Sequence, residues 1–171
     1  MSSALGRRAG GEGLVNNVQP GERYWRLIEP VWAVTDIYAE WSHFQPQFVR
    51  LTVKQAYLFA AHWCQSEVRN GGFFQFYSNP TGILAPEAAT GLRAIGLWKC
   101  AAVVEETLAF FGASYPREQA ARVERLERVI GENWDERDPF SLLNERFYSL
   151  LDTEAGGFLR AADRYAEPDA A

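Results

Sequence analysis

Thr52-Val-Lys-Gln-Ala-Tyr-Leu-Phe-Ala-Ala-His-Trp-Cys-Gln-Ser-Glu-Val-Arg-Asn-Gly-Gly-Phe-Phe-Gln-Phe-Tyr-Ser-Asn-Pro-Thr-Gly82 is the stretch on which the fold turns. Thr52, with Gln55 three residues later, is a capping-box pattern. Val53, Ala56, Tyr57, Ala60, Cys64 and Val68 then follow the 3.6-residue period, which predicts a helix. Glu67 falls on the same apolar face, beside Ala60 and Cys64. Burying a carboxylate is costly unless partners are supplied. Asn70-Gly71-Gly72 breaks this helix. Phe73, Phe76 and Tyr77 have the i, i+3, i+4 spacing of a short second helix. Asn-Gly is also a hairpin signal, so a strand competes over 73–77, although the run does not alternate cleanly. Asn79-Pro80-Thr81-Gly82 is a turn.

Each polar or small residue of this corner has a structural use. Asn70 can cap the following helix. Gly71 and Gly72 permit a reversal that a Cβ would obstruct. Gln75 and Asn79 can bond loop backbone, or Glu67 if that group is buried. A buried knot of Glu67, Asn70, Gln75 and Asn79 is therefore expected to fix how two helices meet. The alternative is a small-molecule or partner site at the same corner, with Glu67, Asn70, Gln75 and aromatics lining an open pocket.

Outward from the corner, helical signals continue. Residues 22–41 carry Tyr24, Trp25, Leu27, Ile28, Val31, Trp32, Ile37 and Tyr38, and Pro30 should bend or split that helix. The segment from His43 to Arg50, containing Pro46, reads as a loop. Pro86 suits the first turn of a helix to about Ile95, ended by Gly96. Leu97, Cys100, Ala101, Val104, Leu108 and Phe111 form a stripe closed by Gly112. Residues 117–130 read as a charged amphipathic helix with i, i+4 pairs Glu118–Arg122 and Glu124–Arg128. Asp138 or Ser141 can cap a helix through about Leu151. A last one begins near Thr153, with Phe158, Leu159, Ala162 and Tyr165. The expected fold class is all-α, a single compact bundle of about seven helices. Residues 1–19 are expected to be a mobile tail, 20–166 the helical domain and 167–171 a frayed end.

The chain has 171 residues, 47% of them apolar, with 22 acidic and 17 basic residues for a net charge of −5. That composition excludes a wholly disordered chain, and a pI of about 5.1 disfavours a nucleic-acid binder. The acidity is local: residues 1–115 are charge-balanced, and residues 116–171 carry the whole net charge of −5. Two cysteines, Cys64 and Cys100, lie in apolar helical patterns and make no disulfide scaffold. Neither a secretory signal nor a membrane-spanning run is present, so a cytoplasmic location is the default expectation. His62 and Cys64 diverge on their helix and cannot chelate together. No zinc spacing, phosphate loop or nucleophile elbow is present. Neither a metal nor a cofactor is expected.

The pattern Glu67-x-x-Asn70-Gly71-Gly72-Phe73-x-Gln75-Phe76-x-x-Asn79-x-x-Gly82 resembles the signature of the bacterial DNA-mimic-protein-nineteen family. The likeness continues through Ala94-Ile95-Gly96 and the helix ending Phe110-Phe111, and covers roughly residues 25–166. The family takes its name from a member that imitates the phosphate charge of duplex DNA and occupies a regulator's DNA-binding surface. Relatives lie beside bacterial toxins, where an immunity role has been suggested. The resemblance implies a helical fold and a non-enzymatic, protein-binding role. The nearly neutral signature would then maintain the fold.

Three functional readings follow. The first is a module that inhibits or modulates a protein partner, a DNA-binding regulator or a toxin. Its contact surface would be Glu118, Glu124, Glu127, Glu132, Asp135, Glu136 and Asp138, with neither direct nucleic-acid nor membrane binding. The second is an enzyme or small-ligand binder at the Glu67 corner. The third is a symmetric homodimer through Trp25, Trp41, Trp98 and Trp134, although each of these also reads as ordinary core.

Overall fold

The structure, a computed structural model, describes residues 19–131 and 138–168. Among these the chain forms α1 (Glu22–Ile28), α2 (Trp41–Phe48), α3 (Val53–Ser78), α4 (Ala85–Ala94), α5 (Trp98–Leu108), α6 (Gln119–Ile130), α7 (Ser141–Thr153) and α8 (Phe158–Ala166). Four 3-10 turns join them, at Glu29–Ala33, Pro80–Leu84, Ala109–Phe111 and Glu154–Gly156. The described residues contain no strand, so the fold class is all-α.

α3 runs through the middle of the bundle and packs on α1, α4, α6, α7 and α8. Its start is the expected capping box. Gln55 N–H donates to Thr52 Oγ1 and Thr52 N–H to Gln55 Oε1, both at 3.2 Å. Leu58, Phe59, Cys64, Val68, Phe73, Phe76 and Tyr77 on α3 are fully buried, against Leu92, Val104, Phe111, Phe140 and Phe147. The helix is interrupted where the sequence says it should be. Gly71 and Gly72 leave helical geometry, and Gly72 has φ 76° and ψ 179°. Residues 73–78 then resume as helix, which excludes the strand reading.

Pro30 splits its helix as expected, with α1 ending at Ile28 and a 3-10 turn carrying on. The loop expected from His43 to Arg50 is a correction, because Trp41–Phe48 is helical with Pro46 inside it. Phe44 and Phe48, four residues apart, both bury, and that gain outweighs the one backbone bond Pro46 removes. The orphaned carbonyl belongs to Ser42, which is exposed to water. The pairing expected between Glu118 and Arg122 is a second correction. Glu118 is the exposed N-cap residue of α6, while Arg122 is 0% exposed and turns into the bundle. Glu124 and Arg128 do pair.

Several helix starts are capped by side chains from distant helices rather than by neighbours. Asp163 on α8 accepts from the backbone N–H groups of Gly21, Arg23 and Tyr24 at 2.6, 3.0 and 3.0 Å, holding the start of α1. Glu154 accepts from Lys99 and Cys100 N–H at 2.7 and 3.0 Å, holding the start of α5. Helix N-termini carry unsatisfied donors and a positive field, so carboxylates suit them. Acidic residues of the last third thus act as tertiary caps.

Asp163→Ala removes the acceptor for three N–H groups. It should destabilise the fold by about 2 kcal/mol, against about half that for Asp163→Asn, which keeps one acceptor. Urea unfolding midpoints of the two variants check the order.

Candidate functional site

The candidate site is the corner after the Gly71–Gly72 break. Glu67 lies half-buried on α3, one helical turn before it. Its Oε2 accepts from Gln75 Nε2 at 2.9 Å and Asn79 Nδ2 at 2.8 Å, and its Oε1 from Thr81 Oγ1 at 3.1 Å. No basic side chain pairs with it among the described residues. Three neutral donors, all within 14 residues downstream, hold the carboxylate.

The other side of the same segment is held by Arg122. Its Nε donates to Tyr77 O at 3.0 Å, and its Nη2 to Asn79 O at 2.8 Å and Pro80 O at 3.4 Å. Nη1 donates to Arg117 O. No carboxylate pairs with this buried guanidinium among the described residues. Burial lowers its pKa, Tyr115 and Glu118 oppose that shift, and Arg117 adds to it. An arginine stays protonated through such a shift. Asn79 is the pivot, its side chain donating to Glu67 and its carbonyl accepting from Arg122. Tyr115 closes the corner by donating its hydroxyl to Gly82 O at 2.6 Å.

The glycines make room for this arrangement. Gly72 has the left-handed φ that disfavours side chains, and a Cβ there would stand 2.7 Å from Asn144 Nδ2. At Gly71 a Cβ would occupy the space through which Gln75 folds back, 2.1 Å from Gln75 Oε1. At Gly82 it would approach Phe76 O to 2.5 Å. Phe73 and Phe76 are fully buried.

Asn70 does not cap the second half of α3, and it does not join Glu67. It is exposed, with no side-chain hydrogen bond among the described residues. The cap comes from α7: Phe73 N–H donates to Asn144 Oδ1 at 2.9 Å. Asn144 in turn donates to Asp138 Oδ2 at 2.7 Å. Asn70 still belongs to the turn before the break, and α7 supplies the acceptor at the start of the second half.

Thr81, Arg122 and Asn144 escaped the sequence reading. Arg122 shares a face with Leu126, and Asn144 shares one with Phe147 and Leu151, all buried. The argument that singled out Glu67, a polar residue on an apolar stripe, applies equally to both.

The corner is not an enclosed pocket. The open depression beside it is lined by Ser66, Glu67, Arg69 and Asn70, and Gln75 and the aromatics do not reach it. His62 is wedged among Trp25, Trp32 and Trp63, with ring centroids 5.5, 5.5 and 6.0 Å away. Burial lowers its pKa to about 4, so it is neutral at neutral pH. Cys64 and Cys100 are buried, and burial raises both thiols. Buried thiols of this kind are poor nucleophiles. Among the described residues no cluster of three or more His, Cys, Asp or Glu side chains could hold a metal ion.

The carboxylates expected on a contact surface divide. Glu118 and Glu127 are exposed without ion pairs among the described residues, and Glu124 is exposed but paired with Arg128. Asp138, though exposed, is engaged within the chain: Oδ1 accepts from Phe140 N–H at 2.9 Å while Oδ2 accepts from Asn144. Glu132, Asp135 and Glu136 lie outside the described residues, as does Trp134. Of the other tryptophans considered for a dimer, Trp25 and Trp98 are 41% and 59% exposed. Trp41 is half-buried beneath Arg117.

The sequence pattern of the DMP19-like protein family matches residues 49–168. No curated protein and no solved structure matches the chain.

Glu67→Gln replaces an acceptor oxygen by an NH2 group facing donors. It should cost about 2 kcal/mol, and Thr81→Val about 1 kcal/mol, in urea unfolding. His62 binds a proton at its ordinary 6.5 in the unfolded chain but only near pH 4 when folded. The unfolded state therefore holds more protons between these values, and stability falls as pH drops through that window, by about 3 kcal/mol. His62→Gln should lose this acid sensitivity when unfolding midpoints are compared at pH 4.5 and pH 7, values about either side of most of the window.

Proposed function

The chain belongs to the family of DMP19-like proteins, and we propose that it is a non-enzymatic binding module that inhibits or modulates a protein partner. The observation that carries this reading is the closed corner. Both Glu67 oxygens are taken by Gln75, Asn79 and Thr81, and Arg122 is taken by four carbonyls. Except for exposed Asn70, the polar signature residues are spent on holding helices, so recognition falls to the outer surface.

The partner is a DNA-binding regulator or a toxin with a basic contact face. The contact surface is the exposed side of α6 with Glu118, Glu124 and Glu127, together with Glu132, Asp135 and Glu136, which follow in the sequence. Charge arithmetic limits the form of mimicry. Duplex DNA carries one charge per about 1.7 Å of axis. Here Glu124, Asp138, Asp152, Glu154, Asp163 and Glu167 are each engaged by groups of the chain itself. The remaining carboxylates support electrostatic docking of a basic patch rather than a full duplex-like lattice. Such docking weakens with added salt, because exposed charges are screened beyond about 8–10 Å at physiological ionic strength.

Affinity capture from the host lysate, eluted by rising salt, tests this. The partner should elute early. Its affinity should fall at least about tenfold, the loss expected for several exposed charge pairs, when Glu118, Glu127, Glu132, Asp135 and Glu136 are changed together to their amides. A partner held equally by this variant and insensitive to salt overturns the surface.

A further inference from the structure

Among the described residues, two tryptophans carry a guanidinium over the ring and a carboxylate beside that guanidinium. Arg117 lies 4.4 Å over the Trp41 ring, and its nitrogens stand 2.6 and 2.8 Å from Glu87. Arg93 lies 5.4 Å over the Trp98 ring and pairs with Glu105. A third face has rings and carboxylates but, among the described residues, no cation over its tryptophan rings.

That face is formed by α1, the following 3-10 turn and α3. The rings of Trp25 and Trp32 are 5.4 Å apart, those of Trp32 and Trp63 6.0 Å, and those of Trp63 and Tyr38 6.4 Å. They make one continuous strip whose ends are open, with Trp25 41% and Tyr38 67% exposed. Side chains at i and i+3 eclipse in a 3-10 helix, so Glu29 stands on the Trp32 side of its turn. Asp36 Oδ1 accepts from Tyr38 N–H at 3.1 Å, which fixes a second carboxylate at the other end of the strip. Both acids are exposed and neither makes an ion pair among the described residues. Arg26, next to Trp25, is held by Glu22.

We propose that this strip docks an arginine-bearing segment of a partner protein. Guanidinium groups lie on Trp25 and Tyr38 and pair with Glu29 and Asp36, completing what Arg117 and Arg93 complete within the chain. Arginine suits the site better than lysine because its plane both stacks on rings and forks onto carboxylates. A purely apolar partner would leave two desolvated carboxylates, and a nucleic acid would be repelled by them. Except for Trp63, the strip and its acids precede residue 49, where the family match begins, so family membership does not imply the site. The proposal rests on the protein-binding reading but on a different surface from α6.

The test uses the full chain and a capped peptide of alternating arginine and alanine, with citrulline for arginine as the uncharged control. The indole N–H resonances of Trp25, Trp32 and Trp63 should move on addition of the arginine peptide and stay still with citrulline. Affinity should fall at least about fivefold in the double variant Glu29→Gln and Asp36→Asn, as loss of charge pairing at a stacked cation predicts. It should hold in Glu118→Gln with Glu127→Gln. Both positions in the first pair are exposed, so an unchanged thermal midpoint should accompany the loss. Binding that survives the first pair and fails in the second overturns this face and leaves the α6 surface standing. Equal shifts with citrulline, or no shift of these indoles, overturn it as well. So do indole shifts that grow with protein concentration alone, because a second copy would then cover the strip.

Discussion

A helix that is kinked inside a core leaves backbone groups without partners, and the interruption of α3 at Gly71–Gly72 imposes that constraint on everything around it. Buried donors and acceptors must be satisfied. α7 does this on both sides of the break. Asn144 accepts from Phe73 N–H, and the Tyr148 hydroxyl donates to Val68 O at 2.8 Å, in the last turn before the break. Asn144 is in turn positioned by Asp138. The order of packing follows: α7 must lie across α3, and the chain leading into α7 must bring a carboxylate with it.

The same logic explains where the negative charge of the last third is used. Composition alone suggests a surface field. Instead, Asp163 and Glu154 sit on the starts of α1 and α5, and Asp138 on the start of α7. Asp152 and Glu167 pair with Arg69 and Arg23 on other helices. Each carboxylate at a helix start satisfies two or three donors at once, which an exposed ion pair does not do. The acidity of residues 116–171 is in good part an assembly device. Under the proposed binding role, contacts with a partner would draw on the carboxylates that remain and on the aromatic strip.

The legible parts of the fold were those set by local pattern. The Thr52–Gln55 capping box, the split at Pro30, the Gly71–Gly72 break and the closures at Gly96 and Gly112 are all decided within a few residues. Glu67 was legible as a polar group on an apolar stripe, and Gln75 and Asn79 as donors within its reach. What escaped was tertiary. α2 forms because Phe44 and Phe48 find the core, which no local signal around Pro46 announces. The cap on Phe73 comes from 71 residues away, so a nearby Asn70 looked sufficient. Glu118, four residues before Arg122, suggests a local i, i+4 pair. The place of Arg122 on the same face as Leu126 was the better guide.

Glu67 and Arg122 carry opposite charges but do not touch; the Gln75–Gly82 segment lies between them. Direct contact between the two would satisfy their charges and leave the segment unsatisfied. Three side-chain donors would lose the carboxylate, and the carbonyls of Tyr77, Asn79 and Pro80 would lose the guanidinium. A simple buried ion pair can often be replaced by apolar side chains with no loss, because its two members need only each other. Here apolar replacements would strand the polar groups of an entire turn. The charges therefore specify the path of the chain rather than merely compensating each other, and Asn79, which meets both, is where that path is fixed.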